Sequence, residues 1–324
     1  MRSCVAVGWF MVGVAVQAMA GTLTVSVRNG AHARENVIVA QRMTHEWAAS
    51  AATAGLAERH PDGRFSPVPF AVDNTGEAPV LVWQMPGATA PDAVRRFEWR
   101  ADHMLRAAPG GDLTVSVDGS RILVANGYFR LAHPVRGRGG FPQDIEYVRS
   151  GHADPELYFL DRIVRKDADG RVMQVCANAC EDAAARVVFA SPLRVVVEVW
   201  TGFGPRAAET PGQPRAVYRY TYSAHSPVVQ VDARYLRTDD GPWRELHFLH
   251  LSRKEARYAR FVTGDAGGTH VLQPKGTRSR AVNGPQWAVM ADAADACGAG
   301  FEGAVCWDAS DEFVYYIRSG HMTW

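Results

Sequence analysis

Apolar and polar residues alternate along nearly the whole chain, the pattern of strands with one buried face. Residues 22–27 alternate strictly, with Leu23, Val25 and Val27 set against Thr22, Thr24 and Ser26. Residues 36–40 and 80–83 are short apolar runs of strand composition, and 96–100 places Phe97 and Trp99 on one face. Residues 113–117 lead into Asp118-Gly119, a hairpin turn signal, and then into 121–125. Later strands are predicted at 193–200, 217–222, 228–236, 243–251, 286–290 and 312–317. Turn chemistry separates them at 167–170, at Pro211-Gly212, at Ser226-Pro227 and at 239–242. Only residues 48–59 have a helical composition. The expected fold class is therefore all-β. The polar, Pro- and Gly-containing segment 106–112 separates a small N-terminal β-barrel or sandwich (21–110) from a larger antiparallel β-sandwich (111–324).

Residues 1–20 read as a secretory leader. Arg2 gives a positive start, residues 5–16 an apolar stretch, and Ala18-Met19-Ala20 a small-x-small cleavage site. The stretch is too short to span a bilayer comfortably. No later run is apolar enough to insert in a membrane, so an exported product, periplasmic or extracellular, is expected to start near Gly21. Export changes how the cysteines read. Four remain after Cys4 is removed, and they allow three connectivities. Local bridges Cys176–Cys180 and Cys297–Cys306 are the simplest expectation. A four-thiolate zinc site competes, but the spacings C-x3-C and C-x8-C suit it poorly; no metal and no cofactor is expected.

Charge narrows the partners. The 35 basic and 34 acidic residues leave a net charge of +1, against the basic excess of a nucleic-acid binder. Only Lys166, Lys254 and Lys275 are lysines. The arginine bias fits a GC-rich genome as well as a set of carboxylate clamps. No GxGxxG, Walker loop, GxSxG or HExxH occurs, which argues against a nucleotide-binding α/β fold and a zincin.

The order of segments resembles a known family. Residues 120–131, containing Asn126-Gly127, precede a Gly-rich turn at 137–141 and a further strand at 144–147. This is similar to the opening of the galactose-mutarotase-like β-supersandwich of hexose epimerases, glycoside hydrolases and polysaccharide lyases. Residues 195–200, 218–222, 227–232 and 243–250 are similar to its later strands. The N-terminal segment, with Asn29-Gly30 and 81–83, resembles the small barrel of exo-acting rhamnogalacturonan lyase-like proteins. The helical toroid that usually accompanies such sandwiches has no counterpart here. The resemblance implies the sandwich portion of a carbohydrate-active protein, shortened or truncated after Trp324. Its partner would be an oligosaccharide or polysaccharide, and no oligomeric state is indicated.

Candidate chemistry sits on a few strands. Alternation puts Trp243, Glu245 and His247 on one face of 243–251, opposite Leu246 and Phe248. A carboxylate beside an imidazole can move protons at a sugar carbon, with Trp243 stacking on the ring; the alternative is a solvated Glu–His pair. Arg136 and Arg138 flank glycines in a loop that can grip uronate carboxylates, or serve as a plain hairpin turn. Tyr218, Tyr220 and Tyr222 form a stripe that is either a stacking platform or core. Trp200 shares a polar face with Arg194 and Glu198, as a sandwich with a usable groove requires. The leading expectation is an exported carbohydrate-binding or carbohydrate-active protein, preferring acidic sugars if the arginines reach the groove. The alternatives are a stand-alone epimerase or lyase using Glu245 and His247, and a non-catalytic envelope scaffold.

Overall fold

The structure, a computed structural model, describes residues 13–19, 22–100, 107, 110–154, 157–166, 169–205, 213–236 and 243–247, and a set of strands within 251–323. For 13–19, 152, 154, 157, 158, 243, 245 and positions after 247 it describes the backbone alone. The chain is nearly all β, as the alternation predicts. The N-terminal part runs through β1 (Gly13–Met19), β2 (Thr22–Arg28), β3 (Arg34–Arg42), a short helix α1 (His45–Ala49), β4 (Gly55–Arg59), β5 (Phe65–Pro67), β6 (Phe70–Asp73), β7 (Val80–Thr89) and β8 (Val94–Arg100). These strands make antiparallel sheets ordered β1-β2-β8-β4-β5 and β3-β7-β6.

The side-chain period fixes how these sheets pack. Leu23, Val25 and Val27 of β2 are buried, and Phe97 and Trp99 of β8 are both 0% exposed. They meet Leu56, Leu81, Trp83 and Met85 in one apolar cluster. Each fully buried side chain of this size contributes about 1.5–3 kcal/mol over an exposed one. The expected helix over 48–59 is shorter and earlier. Thr44 accepts from the Trp47 N–H and caps α1, a 3-10 turn follows at Ser50–Ala52, and Gly55–Arg59 is a strand. Pairing with β8 and full burial of Leu56 override the helical composition there. Gly13–Met19, expected to stand outside the fold as part of a leader, forms β1 and pairs with β2 over its whole length.

The second part contains β9 (Thr114–Val117), β10 (Arg121–Ala125), β11 (Phe129–Pro134), β12 (Gln143–Tyr147), β13 (His152–Asp154), β14 (Leu157–Phe159), β15 (Arg162–Lys166), β16 (Val172–Cys176), β17 (Ala184–Ala190), β18 (Arg194–Gly202), β19 (Arg215–Ser223), β20 (Val229–Leu236) and β21 (Trp243–His247). Its sheets are β13-β12-β11-β10-β9, β17-β18-β19-β20 and β16-β15-β21. The remaining strands, from Leu251–Arg253 to His321–Thr323, add a four-stranded sheet and, with β14, a five-stranded one. The predicted Asp118-Gly119 turn joins β9 to β10, with Gly119 at φ 78°. A second apolar cluster lies within this part. It joins Ile122, Val124 and Leu131 to Val195, Val197, Val199, Tyr218, Tyr220 and Tyr222.

The Gly-rich turn is a packed element. Gly137, Gly139 and Gly140 all have positive φ, a region open to glycine at no steric cost. A Cβ on Gly139 would lie 2.6 Å from the Ala177 carbonyl oxygen, and one on Gly140 2.5 Å from Val199 Cγ1. The glycines let the turn press onto β18, and Gly139 and Gly140 are buried.

Candidate functional site

The outer face of the β17–β20 sheet carries the polar and aromatic residues. Val199 and Thr201 are 0% and 1% exposed, so Trp200 between them points outward. Ala184 pairs with Trp200, Trp200 with Val217, and Val217 with Arg234. An isolated bridge sets Arg136 opposite Ala184. Residues opposite each other in antiparallel pairing share a face, so Arg136, Ala184, Trp200, Val217 and Arg234 form one outward row. The next row is Arg186, Glu198, Arg219 and Asp232.

Hydrogen bonds fix this surface. The Trp200 Nε1–H donates to Glu198 Oε1 at 2.9 Å, and Arg186 donates to the same oxygen at 2.7 Å through Nη2. Arg219 Nη1 stands 4.0 Å from Glu198 Oε2. Burial alone would raise the Glu198 pKa, but the bonds from Arg186 and Trp200 and the Arg186 and Arg219 charges hold it below the usual carboxylate range. The indole is therefore held by its edge while 46% of the residue stays exposed. Arg136 is exposed and makes no hydrogen bond or ion pair with any described residue. Arg138, also exposed, donates to Gln143 Oε1 at 3.1 Å.

Residues 73–77 of the N-terminal part reach the rest of the face. Asp73 Oδ2 lies 3.1 Å from Arg194 Nε and 3.7 Å from Arg219 Nη2. Arg219 also donates to the Thr75 carbonyl at 3.0 Å and to the Thr75 hydroxyl. Arg234 reaches Glu77 at 2.6 Å. Burial pushes the Asp232 carboxyl up, against the opposing charges of Arg194 and Arg219. Arg186, Arg194, Arg219 and Arg234 all have acidic partners, whereas Arg136 has none among the described residues.

Other predicted residues fall elsewhere. Tyr220 is 1% exposed and stacks against Tyr218 at 6.2 Å inside the core, so it is no sugar platform. Its stripe faces inward because Val195, Val197 and Val199 on the neighbouring strand do. The predicted Cys176–Cys180 bridge is not formed: both are thiols. Cys180 donates to Asp182 Oδ1 at 2.8 Å and its sulfur accepts the Gly202 N–H at 3.2 Å, which turns it into the interior. Burial pushes the Cys176 thiol up, away from the reactive thiolate. Cys297 lies on a strand described by backbone alone, and Cys306 lies outside the described residues. β21 pairs with β15, opposing His247 to Arg162 and Glu245 to Val164. His247 is 9% exposed, Leu246 packs on the main core, and Arg244 between Trp243 and Glu245 is exposed. The Trp243 and Glu245 side chains lie outside the described residues.

Among the buried polar residues that escaped the sequence reading, beside Asp73, are His133 and Asp161. His133, 0% exposed, contacts the Gly140 carbonyl through Nδ1 at 2.8 Å and the Tyr222 hydroxyl through Nε2 at 2.5 Å. Asp161, 1% exposed, accepts from Tyr218 at 2.8 Å. Alternation marks His133 only as an inward position beside Leu131, and nothing local marks Asp161. On the outer face of the β9–β12 strands a shallow groove of about 440 Å³ is lined by Arg121, Arg130, Asp144 and Glu146. Its charges are already matched, Arg121 to Asp144 at 3.1 Å and Arg130 to Glu146 at 3.5 Å.

No family model matches the chain, and no curated protein matches it by sequence. Its fold is similar to solved structures. An alpha-mannosidase from Enterococcus faecalis V583 aligns with a TM-score of 0.55 at 10% identity, over 94% of this chain and 39% of that one. A protein of glycosyl hydrolase family 38 from Enterococcus faecalis gives 0.50 at 10% identity, over 93% of this chain and 44% of that one. The chain thus spans less than half the length of these two structures. At this identity the likeness shows the fold alone, an antiparallel β-sandwich architecture as the alternation predicts.

Proposed function

We propose that the protein is an exported carbohydrate-binding β-sandwich protein, related to the sandwich portion of glycoside hydrolases. The observation that carries this is the fold likeness over 94% of the chain to an alpha-mannosidase. An exposed, edge-held indole on the outer sheet face supports the same reading, because sugar C–H surfaces stack on such rings. Calorimetric titration with a panel of neutral and acidic oligosaccharides tests this. Millimolar affinity corresponds to about 4 kcal/mol, so the panel is run at about 10 mM ligand. Saturable binding of at least one oligosaccharide is expected. Binding of none would replace this reading with the scaffold reading.

A further inference from the structure

Resting on that carbohydrate reading, we propose that Trp200, Ala184 and Arg136 form a subsite for an acidic sugar, a hexuronate whose ring lies on the indole and whose carboxylate meets Arg136. The three residues stand in one outward row across adjacent strands. Strands lie about 4.8 Å apart, which sets Arg136 roughly 10 Å from Trp200 at the backbone. Ala184 between them is small and leaves the floor of a shallow trough between an aromatic wall and a cationic one. Two hydrogen bonds fix the cationic wall, Gly137 N–H to the Ala183 carbonyl at 2.9 Å and Ala185 N–H to the Val135 carbonyl at 3.0 Å.

Charge selects the ligand. The acid nearest the indole, Glu198, accepts from Arg186 and Trp200 and faces Arg219, so it offers no free charge to repel an anion. Arg136 has no anionic partner among the described residues. Its planar fork matches a carboxylate with two parallel hydrogen bonds. A neutral hexose can use the indole but gives the guanidinium only hydroxyls, so acidic rings are preferred over neutral ones of equal length.

The test uses the full chain, with a linear trigalacturonate and a neutral galactotriose as probes. Titration calorimetry gives affinity, and the indole N–H resonance of Trp200, assigned by its loss in Trp200→Phe, gives the place of binding. The expected result is tighter binding of trigalacturonate, weakening with salt, and a shift of the Trp200 resonance. Arg136→Ala should weaken the acidic probe about tenfold or more and leave the neutral one within about twofold. Arg136→Lys should recover part of the loss. Both side chains are exposed, and unchanged thermal midpoints in the variants confirm that folding is intact. Equal affinity for the two probes, an unmoved Trp200 resonance, or insensitivity to Arg136→Ala would overturn the subsite and leave carbohydrate binding standing. Absence of binding by both probes and by every member of the panel would overturn the carbohydrate reading itself, and the subsite with it.

Discussion

His133 shows how one buried side chain ties distant segments. The Gly140 carbonyl can only accept, so Nδ1 carries the proton. Burial lowers the ring pKa to about 4, so the ring is neutral at pH 7 and Nε2 accepts the Tyr222 hydroxyl proton. One imidazole thus joins β11, the Gly-rich turn and β19. The pH consequence follows in sign. Between about 4 and 6.5 the unfolded chain binds the proton that the folded chain refuses. The contribution of His133 is fully present above pH 6.5, falls as pH drops through this window, and levels off below 4, for a total on the order of 3 kcal/mol. Urea denaturation at stepped pH should show that fall, and His133→Gln should flatten it; an unchanged slope in the variant would contradict the assignment. Tyr222→Phe removes the donor to Nε2 and should cost about 1–3 kcal/mol at pH 7.

At the scale of elements, strand periods and turns were legible in the sequence, and the partners of each face were not. The stripe of Tyr218, Tyr220 and Tyr222 follows from period 2, but alternation cannot say which face of β19 is covered. Trp200 is readable as outward because Val195, Val197 and Val199 on the same strand point the other way. The helix expected over 48–59 failed because pairing with β8 outweighs local composition. The Gly-rich turn was legible as a turn, but its glycines serve contact with Ala177 and Val199. Gly139→Ala adds a Cβ at φ 68° and 2.6 Å from a carbonyl oxygen. It should destabilise by roughly 2–3 kcal/mol, whereas Gly119→Ala, at φ 78° with nothing near its Cβ, should cost only the backbone strain of about 1 kcal/mol. Equal costs in thermal unfolding would remove the packing role. The β1 segment has two readings in its composition, since an apolar leader and an edge strand look alike. We propose that export removes it: intact-mass analysis of the exported protein should place the N-terminus at Gly21, and a retained Gly13–Met19 would instead make β1 a permanent strand beside β2.

At the scale of the whole molecule, the N-terminal strands and the β17–β20 sheet are joined by charge buried between them. Asp73 is 1% exposed at the end of β6, and the Arg194 side chain facing it is 13% exposed. Asp73 Oδ1 is occupied by the Thr75 N–H at 3.0 Å and its hydroxyl at 2.5 Å, which leaves Oδ2 for the arginines. Arg194 Nε lies 3.1 Å from Oδ2 without the alignment of a hydrogen bond, so the attraction is mainly coulombic. Burial lowers the Arg194 pKa and the Asp73 charge opposes this. Removing a partner from a buried pair leaves charge under-compensated, here Arg194 and Arg219 with the Asp232 charge and the 4.0 Å Glu198 contact of Arg219 left against them. Asp73→Ala should therefore cost on the order of 3 kcal/mol, with little relief from salt because the site is screened from solvent. Glu77→Ala breaks a pair whose side chains are 71% and 59% exposed, and should change stability by less than about 0.5 kcal/mol. The distinguishing readout is cooperativity. Fluorine-labelled Trp83 and Trp99, with resonances assigned by substitution among the nine tryptophans, report the N-terminal core, and a fluorine-labelled tyrosine at 218 or 222 reports the sandwich core. In the native chain both should unfold in one urea transition. In Asp73→Ala the N-terminal signal should separate from the other and move to lower urea. Coincident transitions with stability within about 0.5 kcal/mol of the native chain would show that apolar contact, such as Ile38 against the larger core, holds the two parts together instead.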